Sequence, residues 1–275
     1  MGEAKRKRSA TQAFIEKYPD CFFCGGRRPS STREHMPPKS LFDDSHRPDK
    51  LIMPACSQCN RATSTADLTA SIISRWDYFS SDQSDYDHRR LVAQVRIQAP
   101  ELIDEWTKIG HPLERERARE HLRNYGVAVP RDAGVATIGP ITISQLNLFS
   151  HKAVLALHFE HSRKPLPVTG VISAYWKTKE DFLPTGIPEQ LLDLLPGYGT
   201  LVQGRWEERE TFEYRHASND GQGIFGCFAR LRRGLFVVGF TVLDPAVLPP
   251  DDDGNWVNPA DPLDVLKSER FHKKL

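Results

Sequence analysis

Between residues 66 and 79 the apolar positions Leu68, Ile72, Ile73, Trp76 and Phe79 recur every three or four residues. That is the spacing of a helix burying one face. Similar periodicity predicts helices over residues 89–98, from Pro100 to 109, over 113–125 and over 144–161. In the last of these, Leu146, Leu148, Ala153, Leu155, Leu157 and Phe159 give broad apolar coverage, and His151, His158 and His161 lie close to one helical face, a spacing that admits a metal site but more simply places three helix histidines. Residues 9–18 read as a short helix with Ser9 as its N-cap, ended by Pro19. Beyond Pro167 the pattern turns to short β-type runs, at 168–176, 199–203, 211–216, 223–230 and 235–243. Residues 231–234 suit a hairpin between the last two runs, and Ser218-Asn219-Asp220-Gly221 is a strong turn signal. Near the N-terminus, residues 32–36 and 51–53 suggest two further short strands.

These textures predict an α+β chain in five parts: a basic arm with a short helix (1–19), a small cysteine-containing module (20–80), a helical segment (81–126), a helix with an antiparallel β domain (141–248), and a C-terminal extension (249–275). The stretch 127–140, with Pro130, Gly134, Gly139 and Pro140, is the best internal boundary. The extension is acidic and proline-containing and is expected at the surface.

Composition changes this picture little: 39% hydrophobic and 27% charged residues are ordinary for a soluble domain. No apolar run reaches the roughly 18–20 residues of a membrane span. The basic start leads into no apolar segment of the secretory kind, so a cytoplasmic protein without a membrane partner is expected. The net charge of +1 conceals an asymmetry, because residues 1–61 hold twelve Lys and Arg against seven Asp and Glu, and the remainder 25 against 29. A basic N-terminal module, with Lys5 to Arg8 at its tip, suits a polyanion partner or simply a solvated tail. In 113–125 Glu and Arg interleave, which marks a solvated helix face.

The candidate chemistry lies between Cys21 and Asn60. Four of the five cysteines form two Cys-x-x-Cys pairs, Cys21/Cys24 and Cys56/Cys59. In a reducing compartment this spacing points to a structural Zn²⁺ held by four thiolates, with redox pairs as the weaker reading because no βαβ context accompanies them. Cys227 reads as a small buried strand residue. Between the pairs stands Glu34-His35, followed shortly by two prolines, and Asn60 follows the last cysteine. A neutral imidazole is a natural base for deprotonating water. The Glu34 carboxylate and the Asn60 carbonyl are hard oxygen ligands suited to Mg²⁺ or Mn²⁺.

CxxC, then Glu34-His35-Met36-Pro37-Pro38-Lys39-Ser40-Leu41-Phe42, then Pro54-Ala55-CxxC-Asn60 resembles the HNH (ββα-metal) endonucleases, in the version whose finger is braced by a Cys₄ zinc. The resemblance covers residues 20–80. It implies a ββα finger whose helix starts near Asn60, a catalytic divalent ion held by Glu34 and Asn60, and His35 as general base. It implies hydrolysis of phosphodiester bonds in nucleic acid, DNA before RNA, in settings such as phage defence or mobile elements. Asp67 is a further candidate for assisting the metal, and Arg33, Lys39, Arg47 and Arg61 are candidates for positioning phosphate. The family's loop-bracing asparagine falls at Lys50, so the brace is absent or supplied by another residue. Two other readings stay open: a non-catalytic zinc module that binds nucleic acid or protein, and a C-terminal β domain that senses a ligand or docks a protein partner.

Overall fold

The computed structural model describes residues 2–43, 47–76, 85–108, 112–127, 129, 136–203, 206–249 and 256–267. The elements run α1 (Gly2–Lys17), β1 (Thr32–His35), β2 (Ile52–Ala55), α2 (Ser57–Ala62), α3 (Ser64–Ile73), α4 (Asp85–Gln98), α5 (Pro100–Thr107), α6 (Pro112–Asn124), α7 (Pro140–Ser162), β3 (Val171–Thr178), α8 (Glu189–Leu194), β4 (Gly197–Gln203), β5 (Trp206–Asn219), β6 (Ile224–Leu231), β7 (Leu235–Val242) and α9 (Pro262–Lys267). The fold is mixed α+β. β1 and β2 form a two-stranded antiparallel pair, and a separate five-stranded antiparallel sheet has the order β3-β7-β6-β5-β4.

Helix α7 is the hub, and its sequence explains why. From Leu146 to Phe159 its side chains are buried nearly all round, as expected of a helix covered on several faces. At about 100° per residue, Asn147, Val154 and His158 lie roughly opposite Lys152. The first three meet the sheet. Asn147 accepts from Trp176 of β3 at 2.8 Å, and His158 bonds Thr241 of β7 at 2.7 Å. Val154 packs on Gly239 of β7, where any Cβ would collide with it. Lys152 faces the other way, towards β1 and α3. The N-terminus of α7 has no side-chain cap of its own, so Glu105 of α5 supplies one, accepting from the amides of Ile141 and Thr142 at 2.8 Å each.

One buried apolar cluster runs from Cys21 through α3, α7 and the sheet to Val265, so the N-terminal module shares its core with the β-rich half. The C-terminal stretch, expected at the surface, contributes to it. Val257 bridges Ile172, Asn258 donates to the Gly170 carbonyl at 2.9 Å, and Val265 is buried. Half of the expected boundary 127–140, the tip of the 66–79 helix and much of 80–87 lie outside the described residues. No helix among the described residues is long and apolar enough to cross a membrane.

Two expectations need correction. Helix α1 begins at Gly2, so Ser9 lies inside it and caps nothing. β5 is fourteen residues long because its pairing with β4 and β6 extends well beyond the apolar core of 211–216. The three α7 histidines do not converge, in line with the simpler reading of them as helix histidines: His151 bonds the Asn147 carbonyl, His158 bonds Thr241, and the His161 ring lies 3.8 Å from that of His216 between centroids.

Burial pushes the pKa of both His151 and His158 down to about 4, with His161 adding to the effect on His158. The folded chain therefore keeps them neutral while the unfolded chain takes up protons below about 6.5. Their stabilising contribution is complete above that value and is lost as pH falls towards 4. At pH 5 each costs about 2 kcal/mol. Urea unfolding at pH 7.5 and pH 5 should show this loss, and His158→Gln should reduce it by about 2 kcal/mol. An unchanged pH dependence in that variant would contradict the assignment.

Candidate metal centre and adjoining cleft

The two cysteine knuckles meet because β1 and β2 pair directly between them, with Thr32 opposite Ala55 and Glu34 opposite Met53. Gly25 and Gly26 follow the first knuckle with φ of 61° and 77°, values that favour glycine and let the Gly26 amide turn back onto the Cys21 carbonyl at 3.0 Å. Cys56 caps α2, its Sγ accepting from the Cys59 amide at 3.4 Å. Cys21, Cys24, Cys56 and Cys59 are all buried, with sulfurs within 4.8 Å of one another. A tetrahedron of Zn–S bonds of about 2.3 Å has sulfur–sulfur edges of about 3.8 Å, so the donor set fits such an ion. Among the described residues this is the one group of three or more potential ligands.

Crowding makes the four thiols compete for protons. A hydrogen bond from Cys21 holds Cys24 down to about 2, and the same bond pushes Cys21 up to about 12. A divalent cation resolves that competition by replacing the protons. Arg28 braces the cluster from outside, donating to Cys59 Sγ at 3.3 Å and to Asp261 Oδ2 at 2.7 Å. It thereby ties the knuckle to the segment leading into α9.

Beside the cluster opens a cleft of about 640 Å³. Glu34 and His35 from β1, Lys39 and Ser40 from the following turn, Ser64 and Asp67 from α3, and Gln94 from α4 reach it. Arg33 and His35, two apart on the strand, share Asp49: Arg33 lies 3.7 Å and His35 Nε2 3.6 Å from its carboxylate oxygens. That second distance is an electrostatic contact and too long for a hydrogen bond. Burial, followed by the charges of Arg47 and Lys39, lowers the His35 pKa to about 4, against an opposing pull from Asp49. The imidazole is therefore neutral at pH 7.

Arg47, expected among the phosphate-positioning groups, is used differently. Its guanidinium donates to the carbonyls of Pro37 (2.8 Å), Met36 (2.9 Å), Pro48 (2.6 Å) and Lys50 (2.6 Å). It clips the exit of β1 to the approach of β2, so the loop that holds Lys50 is braced by Arg47. Lys39 is exposed on the cleft rim, and Arg61 is exposed with only a 3.4 Å contact to the Ser57 carbonyl.

Asn60 sits inside α2, which begins at Ser57, earlier than expected. Its Nδ2 donates to Thr32 Oγ1 at 3.1 Å, and Asn60 is not among the cleft-lining residues. Thr32 and Glu34 share a face of β1, so Asn60 stands one strand step from the Glu34 carboxylate rather than beside it. Glu34 instead meets Lys152. The Lys152 ammonium, about 1% exposed, lies 2.7 Å from Glu34 Oε1 and 2.6 Å from Asp67 Oδ2. Burial alone would lower the lysine's pKa, but Asp67 and Glu34 outweigh it and the net shift is upward. Burial raises Asp67 to about 7, with Glu34 adding to it and Lys152 opposing.

Lys152 and Arg28 were not legible as site residues, and Arg47 was legible only as a phosphate-positioning candidate and not as a brace. Lys152 carried one signal: it is the sole Asp, Glu, Lys or Arg between Pro140 and Phe159, and lysine is almost never fully buried unless paired. Comparisons with protein-family models, with curated proteins and with solved structures found no match.

Proposed function

We propose that the chain is a metal-dependent endonuclease of the HNH type that hydrolyses phosphodiester bonds, in DNA before RNA. The observation that carries this reading is a neutral His35 imidazole and the Glu34 carboxylate at one cleft, on a strand held beside a four-cysteine cluster. In this reading the cluster holds a structural Zn²⁺ and acts only as a clamp. His35 accepts the proton of an attacking water. Glu34 holds a divalent ion, Mg²⁺ or Mn²⁺, with the Asn60 carbonyl as the second ligand implied by the resemblance. The buried Asp67 Oδ1, which lacks a hydrogen-bond partner, is the feature of the cleft floor that suits a hard cation. Such an ion, when bound, stabilises the charge that builds on phosphorus and the leaving oxygen. Lys39 on the rim and the exposed Arg61 supply positive charge for the flanking phosphates. The five-stranded sheet and its helices would select the substrate or a protein partner.

The test is incubation of the purified full chain with supercoiled plasmid and Mg²⁺ or Mn²⁺. Nicked or linear product that EDTA suppresses is expected. Intact plasmid and intact RNA under every divalent ion tried would refute the reading. One observation favours a second reading, a zinc-braced module that binds nucleic acid without cutting it: the Lys152 ammonium already satisfies Glu34 as an internal ion pair would. Salt-dependent DNA binding without cleavage would select that alternative.

A further inference from the structure

The floor of the cleft holds three charges on three separate elements: Glu34 on β1, Asp67 on α3 and Lys152 on α7. The ammonium touches one oxygen of each carboxylate, at 2.7 and 2.6 Å, so the two carboxylates already converge on one cationic centre. With both carboxylates ionised, as a bound cation would hold them, one positive charge balances only one of the two negatives. Consistent with that shortfall, Asp67 Oδ1 is buried with no hydrogen-bond partner among the described residues. A buried acceptor left unsatisfied is costly, and a carboxylate with a spare oxygen on a residue that lines a polar cleft suits a cation.

We infer that Glu34 and Asp67 together form the cation seat of the cleft, and that the Lys152 ammonium is a tethered competitor for it. The inference rests on the reading above in taking Glu34 as a metal ligand, and it adds Asp67 as ligand and Lys152 as regulator. The geometry explains why the competition persists. Helix α7 cannot withdraw the lysine by sliding, because Glu105 holds its N-terminus and Gly239 receives Val154 on its far side. Only the side chain can move. A divalent ion on the two carboxylates therefore binds either against the ammonium's repulsion or after swinging it aside, and both raise the ion concentration needed to fill the seat. Without the ion, Lys152 spares the buried carboxylates an uncompensated charge.

The experiment measures Mn²⁺ binding to the zinc-loaded full chain from the electron paramagnetic resonance signal of free Mn²⁺. Lys152→Met is expected to bind Mn²⁺ at least tenfold more tightly than the unaltered chain, and Asp67→Asn at least tenfold more weakly. A purely structural lysine would give unchanged or weaker binding in Lys152→Met, and that result overturns the inference. If Lys152→Met does not fold, Asp67→Asn decides alone, since it keeps the Lys152–Glu34 pair: unchanged Mn²⁺ affinity there overturns the shared seat. The failures are separable. Mn²⁺ affinities in the expected order with no plasmid cleavage sink the endonuclease reading and leave the seat standing. Cleavage by the unaltered chain with no gain of affinity in Lys152→Met sinks the competitor and leaves the endonuclease reading standing.

Discussion

Cys56→Ser is expected to lower bound zinc from about one ion per chain to well under half, and to lower Tm by roughly 10 °C. Each part follows from the geometry. The variant removes one of four buried sulfurs that lie within 4.8 Å of one another, and serine offers no comparable ligand. The α2 cap itself survives, since a serine hydroxyl caps a helix well, so the loss falls on the metal site. In small modules a structural zinc contributes on the order of 10–16 kcal/mol, because the apo segment cannot fold alone. Here the knuckles share a core with α7 and the sheet, so part of that region stays packed without metal. A loss of about 4 kcal/mol is the corresponding estimate, which for a chain of this size displaces Tm by about 10 °C. Zinc analysis and thermal unfolding by circular dichroism measure both effects. Full zinc retention with an unchanged Tm would contradict the Cys₄ assignment.

How much was legible depended on whether the deciding contact was local. The cysteine cluster was legible, since two knuckles at CxxC spacing each preset a pair of sulfurs and one short β-hairpin joins them. The three-residue connection between β6 and β7 was legible from Gly234 and the flanking apolar runs. The extent of β5 was not, because its outer residues are mostly polar and owe their strand conformation to pairing, residues 206–208 with β4 and 217–219 with β6. The brace at the loop was half legible: the sequence left it absent or supplied by a residue other than Lys50, without naming which. Sequence position drew attention to Lys50, whereas Arg47 reaches four carbonyls through a geometry that leaves no periodic trace. Lys152 was out of reach for a different reason. It meets Glu34 across 118 residues, and only the packing of α7 against α3 and β1 brings the two together.

His35→Ala should have the largest effect on activity. The imidazole stands on a strand fixed at both ends, by the knuckles through β2 and by the Arg47 clip, and it is neutral at pH 7. A positioned general base contributes typically 10²–10⁴-fold, and alanine offers no replacement. Truncation should cost little stability, since the ring is partly exposed and its contact with Asp49 is long and mostly solvated. The variant therefore separates chemistry from folding. Glu34, Asp67 and Lys152 remain in place beside it, and so do the four cysteines.

The central claim is that this cleft hydrolyses phosphodiester bonds through His35. The most direct measurement compares supercoiled-plasmid nicking by the unaltered chain and His35→Ala, with Mg²⁺ or Mn²⁺ added and zinc content measured in both. The account predicts nicking by the unaltered chain and at least a hundredfold slower nicking by the variant at equal zinc content; equal rates in the two would contradict it.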